Sequence, residues 1–210
     1  MNSNAFDWFE IAKRLKAISQ AGKHFAQNEY ELNRHQELEQ ICAEIFAHYT
    51  ELNAEQARGI LQQDAGYPTP KVDCRGVVFK DDKILMVREA ADGGWTLPGG
   101  WCDCGMTAAQ NVAREVWEES GYEVKPVRLL AVFDRDRQGH TPPYPFNIYK
   151  LFFLCELTGG QPTVSHETSE IGWFAEEDLP ANLSRGRTLH HELKLFFAQF
   201  RNPAIPAAFD

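Results

Sequence analysis

The sequence predicts an α+β protein in which a small all-helical N-terminal domain, residues 1–66, precedes a larger mixed domain of strands and helices, residues 67–205. Three observations carry that reading. Apolar residues recur at helical spacing from Phe6 to about Gln63; the stretch DAGYPTP, Asp64 to Pro70, then supplies the Gly and Pro punctuation of a linker; beyond it, strand-like runs alternate with turn signals.

The helical part resolves into two long helices and a shorter one. Trp8, Ile11, Leu15 and Ile18 form one apolar stripe, Leu38, Ile41, Ile45 and Phe46 a second, and Ile60 and Leu61 close a third, shorter segment. So short a module cannot bury these stripes within itself, and either the following domain or a second copy of the chain is expected to cover them. After the linker, VDCRGVVF and KILMVRE flank the turn KDD as a hairpin, RLLAVFD and NIYKLFFLCEL read as further strands, and a last helix spans Leu189 to Phe200. The ending NPAIPAAFD reads as a loosely held tail.

Between these strands lies a helix whose limits can be argued. Thr107 and Gln110 have capping-box spacing, and Gly121 is a stop after the last turn. Ala109, Val112, Ala113 and Val116 form its apolar stripe, while Glu115, Glu118 and Glu119 gather on the other side. Glutamates at i, i+3 and i+4 repel and cost a helix a few tenths of a kcal/mol, of which Arg114, four residues before Glu118, offsets only part. A charge run of this kind is either a solvated acidic face or the seat of a hard cation. The preceding WTLPGGWCDCGM, Trp95 to Met106, favours the cation: paired glycines let backbone approach a ligand closely, and Mg²⁺ commonly joins one or two protein carboxylates to substrate phosphates.

Charge and composition exclude several other roles. A net charge of −9 leaves no general field to hold a polyanion, and residues 1 to 66 carry ten acidic against six basic side chains, so DNA is not an expected partner. No stretch approaches a membrane span, MNSNAFDWFE lacks the layout of a signal peptide, and the five cysteines lack disulfide-like spacing; a cytoplasmic location is expected. Cys102 and Cys104 lack a second pair at zinc-like spacing.

Gly100, Arg114, Glu115, Val116, Glu118, Glu119 and Gly121 fall in the register of the Nudix box, a glycine, then a glutamate, then Arg-Glu-hydrophobic-x-Glu-Glu-x-Gly. One position departs: Met106 stands where the early glutamate is usual. The segments WFEIAKRLKAISQAGKHF, KVDCRGVVFKDDKILMVRE and HETSEIGWF extend the similarity over most of the chain. The chain therefore resembles the bacterial Nudix hydrolases with a helical N-terminal domain, of the ADP-ribose or CDP-choline pyrophosphatase type.

The resemblance implies an α/β/α sandwich with a mixed sheet and Mg²⁺-dependent hydrolysis, with Mn²⁺ as a substitute, of the pyrophosphate link in a small-molecule nucleoside diphosphate derivative. It implies Glu115, Glu118 and Glu119 as metal ligands and catalytic residues, the Gly100 carbonyl as a further ligand, Arg114 as the residue that holds the glutamates, and Glu167 or Glu170 as candidates for the base. It also favours a homodimer. Arg135, Arg137, His140 and Tyr144, in the loop DRDRQGHTPPY, are candidate substrate-binding residues or parts of a plain connector. Met106 keeps an alternative open, a nucleotide-sensing or regulatory protein with a degenerate, non-catalytic box.

Overall fold

A computed structural model describes residues 7–210 as five helices and an eight-stranded mixed sheet. Phe6, where the helical pattern begins, lies outside the described residues. The chain divides into two compact units, one running to Pro70 and including Pro143–Phe146, the other formed by Lys71–Pro142 and Asn147–Asp210.

In the first unit, helices α1 (Trp8–Phe25), α2 (Glu29–Tyr49) and α3 (Ala54–Gln62) start on Asp7, Asn28 and Asn53, whose side chains accept backbone N–H groups of the first turn. Their common core holds Phe9, Ala12, Cys42, Ala43, Phe46, Ala57 and Leu61, with Phe9 and Phe46 meeting edge to face at 4.7 Å. This corrects the sequence-based stripe. Trp8, Ile18 and Ile41 are 49%, 59% and 45% exposed. One residue turns a helix by about 100°, and small Ala12 and Ala43 let α1 and α2 approach on the flank the larger residues leave.

The second unit begins with the hairpin of β1 (Lys71–Lys80) and β2 (Lys83–Glu89). Its two turn residues, Asp81 and Asp82, both have left-handed backbones, as a tight two-residue hairpin turn requires. Strands β3 (Trp95–Thr96) and β4 (Gly99–Trp101) follow, then helix α4 (Ala108–Ser120), β5 (Tyr122–Asp134), β6 (Ile148–Gly160), β7 (Thr168–Phe174), helix α5 (His190–Arg201) and β8 (Ala208–Phe209). The order is β3-β2-β1-β6-β5-β8, with β4 added to β1 and β7 to β2; β1 runs parallel to β6 and antiparallel to β2 and β4.

Strand alternation sorts the apolar residues onto two faces. Val77, Ile84, Met86 and Phe152 pack with Leu193, Phe196 and Phe197 of α5, whereas Cys74, Val78, Leu85 and Cys155 pack with Val112 and Val116 of α4. A sheet covered by a helix on each face is the expected sandwich. The tail is a correction: β8 pairs with β5, Gln199 donates to the Pro206 carbonyl at 2.9 Å, and Arg128 to that of Pro203 at 2.7 Å. Among the described residues no helix is long and apolar enough to cross a membrane, and all five cysteines are free.

Candidate active site

Helix α4 is set by its caps. Thr107 Oγ1 accepts the Gln110 N–H at 3.1 Å while Gln110 Oε1 accepts that of Thr107 at 2.9 Å, and Gly121 ends the helix in a left-handed conformation. Those limits put Arg114, Glu115, Glu118 and Glu119 on the last two turns. Arg114 binds Glu118 at 2.8 Å, Glu115 at 2.9 Å and Asp103 at 2.7 Å, so one guanidinium holds Glu115 and Glu118 and ties them to the preceding loop.

The three glutamates differ in environment. Glu118 is exposed, Glu115 is half-buried, and Glu119 turns inward with 5% of its surface accessible. The expected single acidic face is thus split, and Ala109 of the expected apolar stripe is exposed. Asn111 takes an inward position instead, bonding the Asp103 N–H and the Thr107 carbonyl.

The glycine turn meets these carboxylates from the sheet. Gly99 pairs with Arg75 and Gly100 with Cys74 across β1 and β4. Gly99 has φ 144°, and a Cβ there would stand 2.1 Å from the Cys74 carbonyl oxygen; at Gly100 a Cβ would lie 2.8 Å from Glu115 Oε2. At Gly99 only glycine lets this backbone press against the strand, and at Gly100 the missing side chain leaves the room that the Glu115 carboxylate takes. The Gly99 N–H donates to Glu119 Oε2 at 2.9 Å.

Strands β2 and β7 complete the group. Glu89, at the end of β2 and opposite Thr168, is 6% exposed and paired with Arg187 Nε at 3.0 Å. Glu89 is not among the residues singled out from the sequence; a carboxylate closing the strand KILMVRE was its one signal. The Thr168 hydroxyl donates to the Glu119 carbonyl at 2.8 Å, drawing the start of β7 onto α4. Glu167, just before it, lines a groove of about 790 Å³ together with Arg114, Glu115, Trp117, Glu118 and Glu119. Glu170 does not line it: its side chain is 53% exposed and pairs with Arg88 at 2.5 Å.

Crowding shows in the acidities. Burial, opposed by Arg75 and the Gly99 N–H and reinforced by Glu89 and Glu115, pushes the Glu119 carboxyl up to about 8. Burial likewise raises Glu115, against Arg114, and Glu89, against Arg187. Such a set of buried oxygens has the chemistry of a hard-cation site: a divalent ion would supply the charge that three arginines only partly provide. Among the described residues no three acidic, histidine or cysteine side chains close into a finished metal cage. An open carboxylate groove suits Mg²⁺, which keeps several of its waters.

The loop after β5 behaves otherwise than expected. Arg135 is buried and donates to the Pro142 carbonyl at 2.6 Å; His140 is buried between the Arg185 carbonyl, 3.0 Å from Nδ1, and Glu192, 2.9 Å from Nε2. Arg135 thus ties the loop to itself, and His140 ties it to Arg185 and to Glu192 of α5. Arg137 is exposed, and Tyr144 belongs to the first unit, its ring 6.0 Å from that of Phe146.

Two families match the chain: NUDIX domain over residues 70–193, and the UDP-X-like, N-terminal oligomerisation domain over residues 6–61. A protein of Bacillus subtilis (strain 168), YjhB, which carries the provisional name of an ADP-ribose pyrophosphatase, is 43% identical over 203 residues, covering 97% of each chain. A solved UDP-X diphosphatase aligns over 97% of this chain and 98% of its own, with TM-score 0.63 and 29% identity. An ADP-ribose pyrophosphatase of Streptococcus suis aligns over 68% of this chain and 100% of its own, with TM-score 0.61 and 38% identity.

Proposed function

The chain belongs to the Nudix hydrolase family, and from that premise we propose that it hydrolyses the pyrophosphate link of a nucleoside diphosphate derivative with Mg²⁺. ADP-ribose and CDP-choline are the leading substrates, and UDP-linked compounds join them through the similarity to the UDP-X diphosphatase. The observation that carries the reading is the convergence of Glu115, Glu118, Glu119 and Glu167 on one groove, with the Gly99–Gly100 backbone against the first and third of the box glutamates. Met106 is 38% exposed on the loop before α4, and none of these contacts depends on it.

Glu115, Glu118 and Glu119, with the Gly100 carbonyl, would hold the cation. When bound, divalent ions neutralise phosphate oxygens and activate water. The chain's own residues do the rest. Arg114 fixes the spacing of Glu115 and Glu118 and opposes their repulsion. Glu167, on the groove wall, accepts the proton of the water that attacks phosphorus; the bridging P–O bond breaks and its oxygen leaves with the second phosphoryl group. The Thr168–Glu119 bond keeps that wall in register with the box helix. Residues 1–66 act as an oligomerisation module that builds a homodimer, and the exposed Trp8, Ile18 and Ile41 supply apolar surface for it.

The test is to incubate the purified full-length protein with Mg²⁺ and a panel of ADP-, CDP- and UDP-linked compounds, and identify products by phosphorus NMR. A nucleoside monophosphate plus a phosphorylated second group is expected. Release of inorganic phosphate or of an intact nucleoside diphosphate would overturn the reading.

A further inference from the structure

Beneath the glycine turn lies a charged cluster that the hydrolytic chemistry does not use. Asp73 and Arg75 on β1 and Lys150 on β6 are 6%, 4% and 2% exposed, and Asp73 faces Lys150 directly across the parallel strand pair. Arg75 donates from Nε to Asp73 Oδ1 at 3.0 Å and from Nη2 to Oδ2 at 2.7 Å, while Lys150 Nζ donates to Oδ1 at 2.7 Å. Burial alone would raise the Asp73 carboxyl, but the two cations overcome it and hold the group well below the usual carboxylate range. Two cations thus share one buried carboxylate.

Stability does not account for such a cluster. Taking ions out of water costs free energy that pairing rarely returns in full, and apolar side chains of similar volume commonly hold strands together as well or better. The free arm of Arg75 points to another role. Its Nη1 donates to the Leu97 carbonyl at 3.1 Å, two residues before Gly99. The segment Leu97 to Gly99 is held by Leu97 N–H on Thr188 Oγ1 at 3.1 Å, the Leu97 carbonyl on Arg75 and on the neighbouring Thr96 hydroxyl at 3.1 Å, the Pro98 carbonyl on Gly76 N–H at 2.8 Å, and Gly99 N–H on Glu119 at 2.9 Å. Of these the Arg75 contact is the one whose donor is itself fixed by a buried ion, Asp73, which Lys150 holds in turn.

We propose that Arg75 is a positioning residue for this reaction: its guanidinium, clamped by Asp73, which Lys150 holds from the neighbouring strand, fixes the Leu97 carbonyl and so sets the Gly99–Gly100 turn against Glu119 and Glu115. The inference rests on the Nudix reading of the groove. A planar fork is what the role demands, because two N–H groups must lie along one carboxylate while a third leaves at a fixed angle; the compact ammonium of lysine cannot hold both partners in that geometry. Arg75 also brings a positive charge to the strand position opposite Gly99, whose N–H bonds Glu119. That gives the test a sign. Loss of a nearby positive charge, taken alone, tightens binding of a divalent cation, whereas loss of a positioning arm weakens it.

The experiment compares the full-length wild type with Arg75→Lys, which keeps the charge, and Arg75→Gln, which leaves Asp73 neutralised by Lys150 and supplies a second chance of a folded variant. Mn²⁺ affinity is read by electron paramagnetic resonance, and exchange of the Gly99 amide proton is read by NMR on metal-free protein. Loss of an outer-shell partner typically costs 10- to 100-fold in metal affinity or activity. On that scale both variants are expected to bind Mn²⁺ about tenfold more weakly, to exchange the Gly99 N–H about tenfold faster, and to lose kcat with KM within about threefold. A folded variant with wild-type Mn²⁺ affinity and Gly99 protection, or an Arg75→Gln that binds Mn²⁺ more tightly, would overturn the role. If the wild type bound no Mn²⁺, the metal-dependent reading would fail, while the metal-free exchange rates would still decide whether Arg75 positions the turn.

Discussion

Glu119 accepts the Gly99 N–H at 2.9 Å, so the deepest carboxylate of the box helix and the glycine turn before that helix are one structural unit. Glu119→Gln keeps the size of the side chain and removes its charge. Turnover is expected to fall roughly a hundredfold or more, about 2.7 kcal/mol of barrier, with the fold retained. Near-normal kcat with unchanged Mg²⁺ dependence would place the cation elsewhere.

The same residue predicts how metal-free stability depends on pH. Its folded carboxyl titrates at about 8, against about 4.3 for an unfolded glutamate. Between those values the folded state holds a proton that the unfolded chain has released, so stability falls as pH rises through the window and levels off above it. In EDTA, the wild-type Tm should therefore decline from pH 5 to 8 more steeply than that of Glu119→Gln. Parallel Tm profiles for the two proteins would contradict the assignment.

The two candidates for the base are separated by their surroundings. Glu167 lines the groove with the box glutamates, and Glu170 sits outside it on Arg88. Glu167→Gln is expected to lower kcat by about a hundredfold, the lower range for a general base. Glu170→Gln breaks an exposed ion pair worth at most about 1 kcal/mol and should leave kcat within about threefold. Reversal of that ranking would reassign the base.

Local signals made the box helix legible: Thr107, Gln110 and Gly121 cap it as their spacing predicts. The inward turn of Glu119 was not legible, because a helical wheel places it beside Glu115. What distinguishes the two is the Gly99 N–H, which reaches Glu119 only because β4 pairs with β1. Glu89 stayed hidden for the same reason, its burial depending on Arg187 and on the β2–β7 pairing. Arg135 and His140 read as loop polar groups because their partners, the Pro142 and Arg185 carbonyls and Glu192, carry no mark in the sequence. Long-range pairing, rather than local propensity, decided each of these positions.

Met106 tests whether the departure from the box matters. The side chain is exposed on the loop that precedes α4, where substitutions typically shift energies by no more than about 0.5 kcal/mol, or about twofold in rate. Met106→Glu should therefore change kcat by about twofold and preserve the ranking of substrates. An inactive wild type that gained hydrolase activity on this change would instead identify the box as degenerate.

The N-terminal helices carry the last prediction. Their shared core uses Phe9, Ala12, Ala43 and Phe46, and Ile18 and Ile41 remain 59% and 45% exposed. Two large aliphatic side chains about half in water each forgo roughly 1 kcal/mol of burial, which a second copy of the chain can recover by covering them. Light scattering over a dilution series should give a dimeric mass for the wild type and a shift toward monomer for Ile18→Asp combined with Ile41→Asp. Both changes lie outside the helical core, so the melting of the monomer's own helices, followed by circular dichroism at high dilution, should stay close to that of the diluted wild type. A double variant that kept the dimeric mass at every concentration would move the interface off these two helices' exposed aliphatic residues.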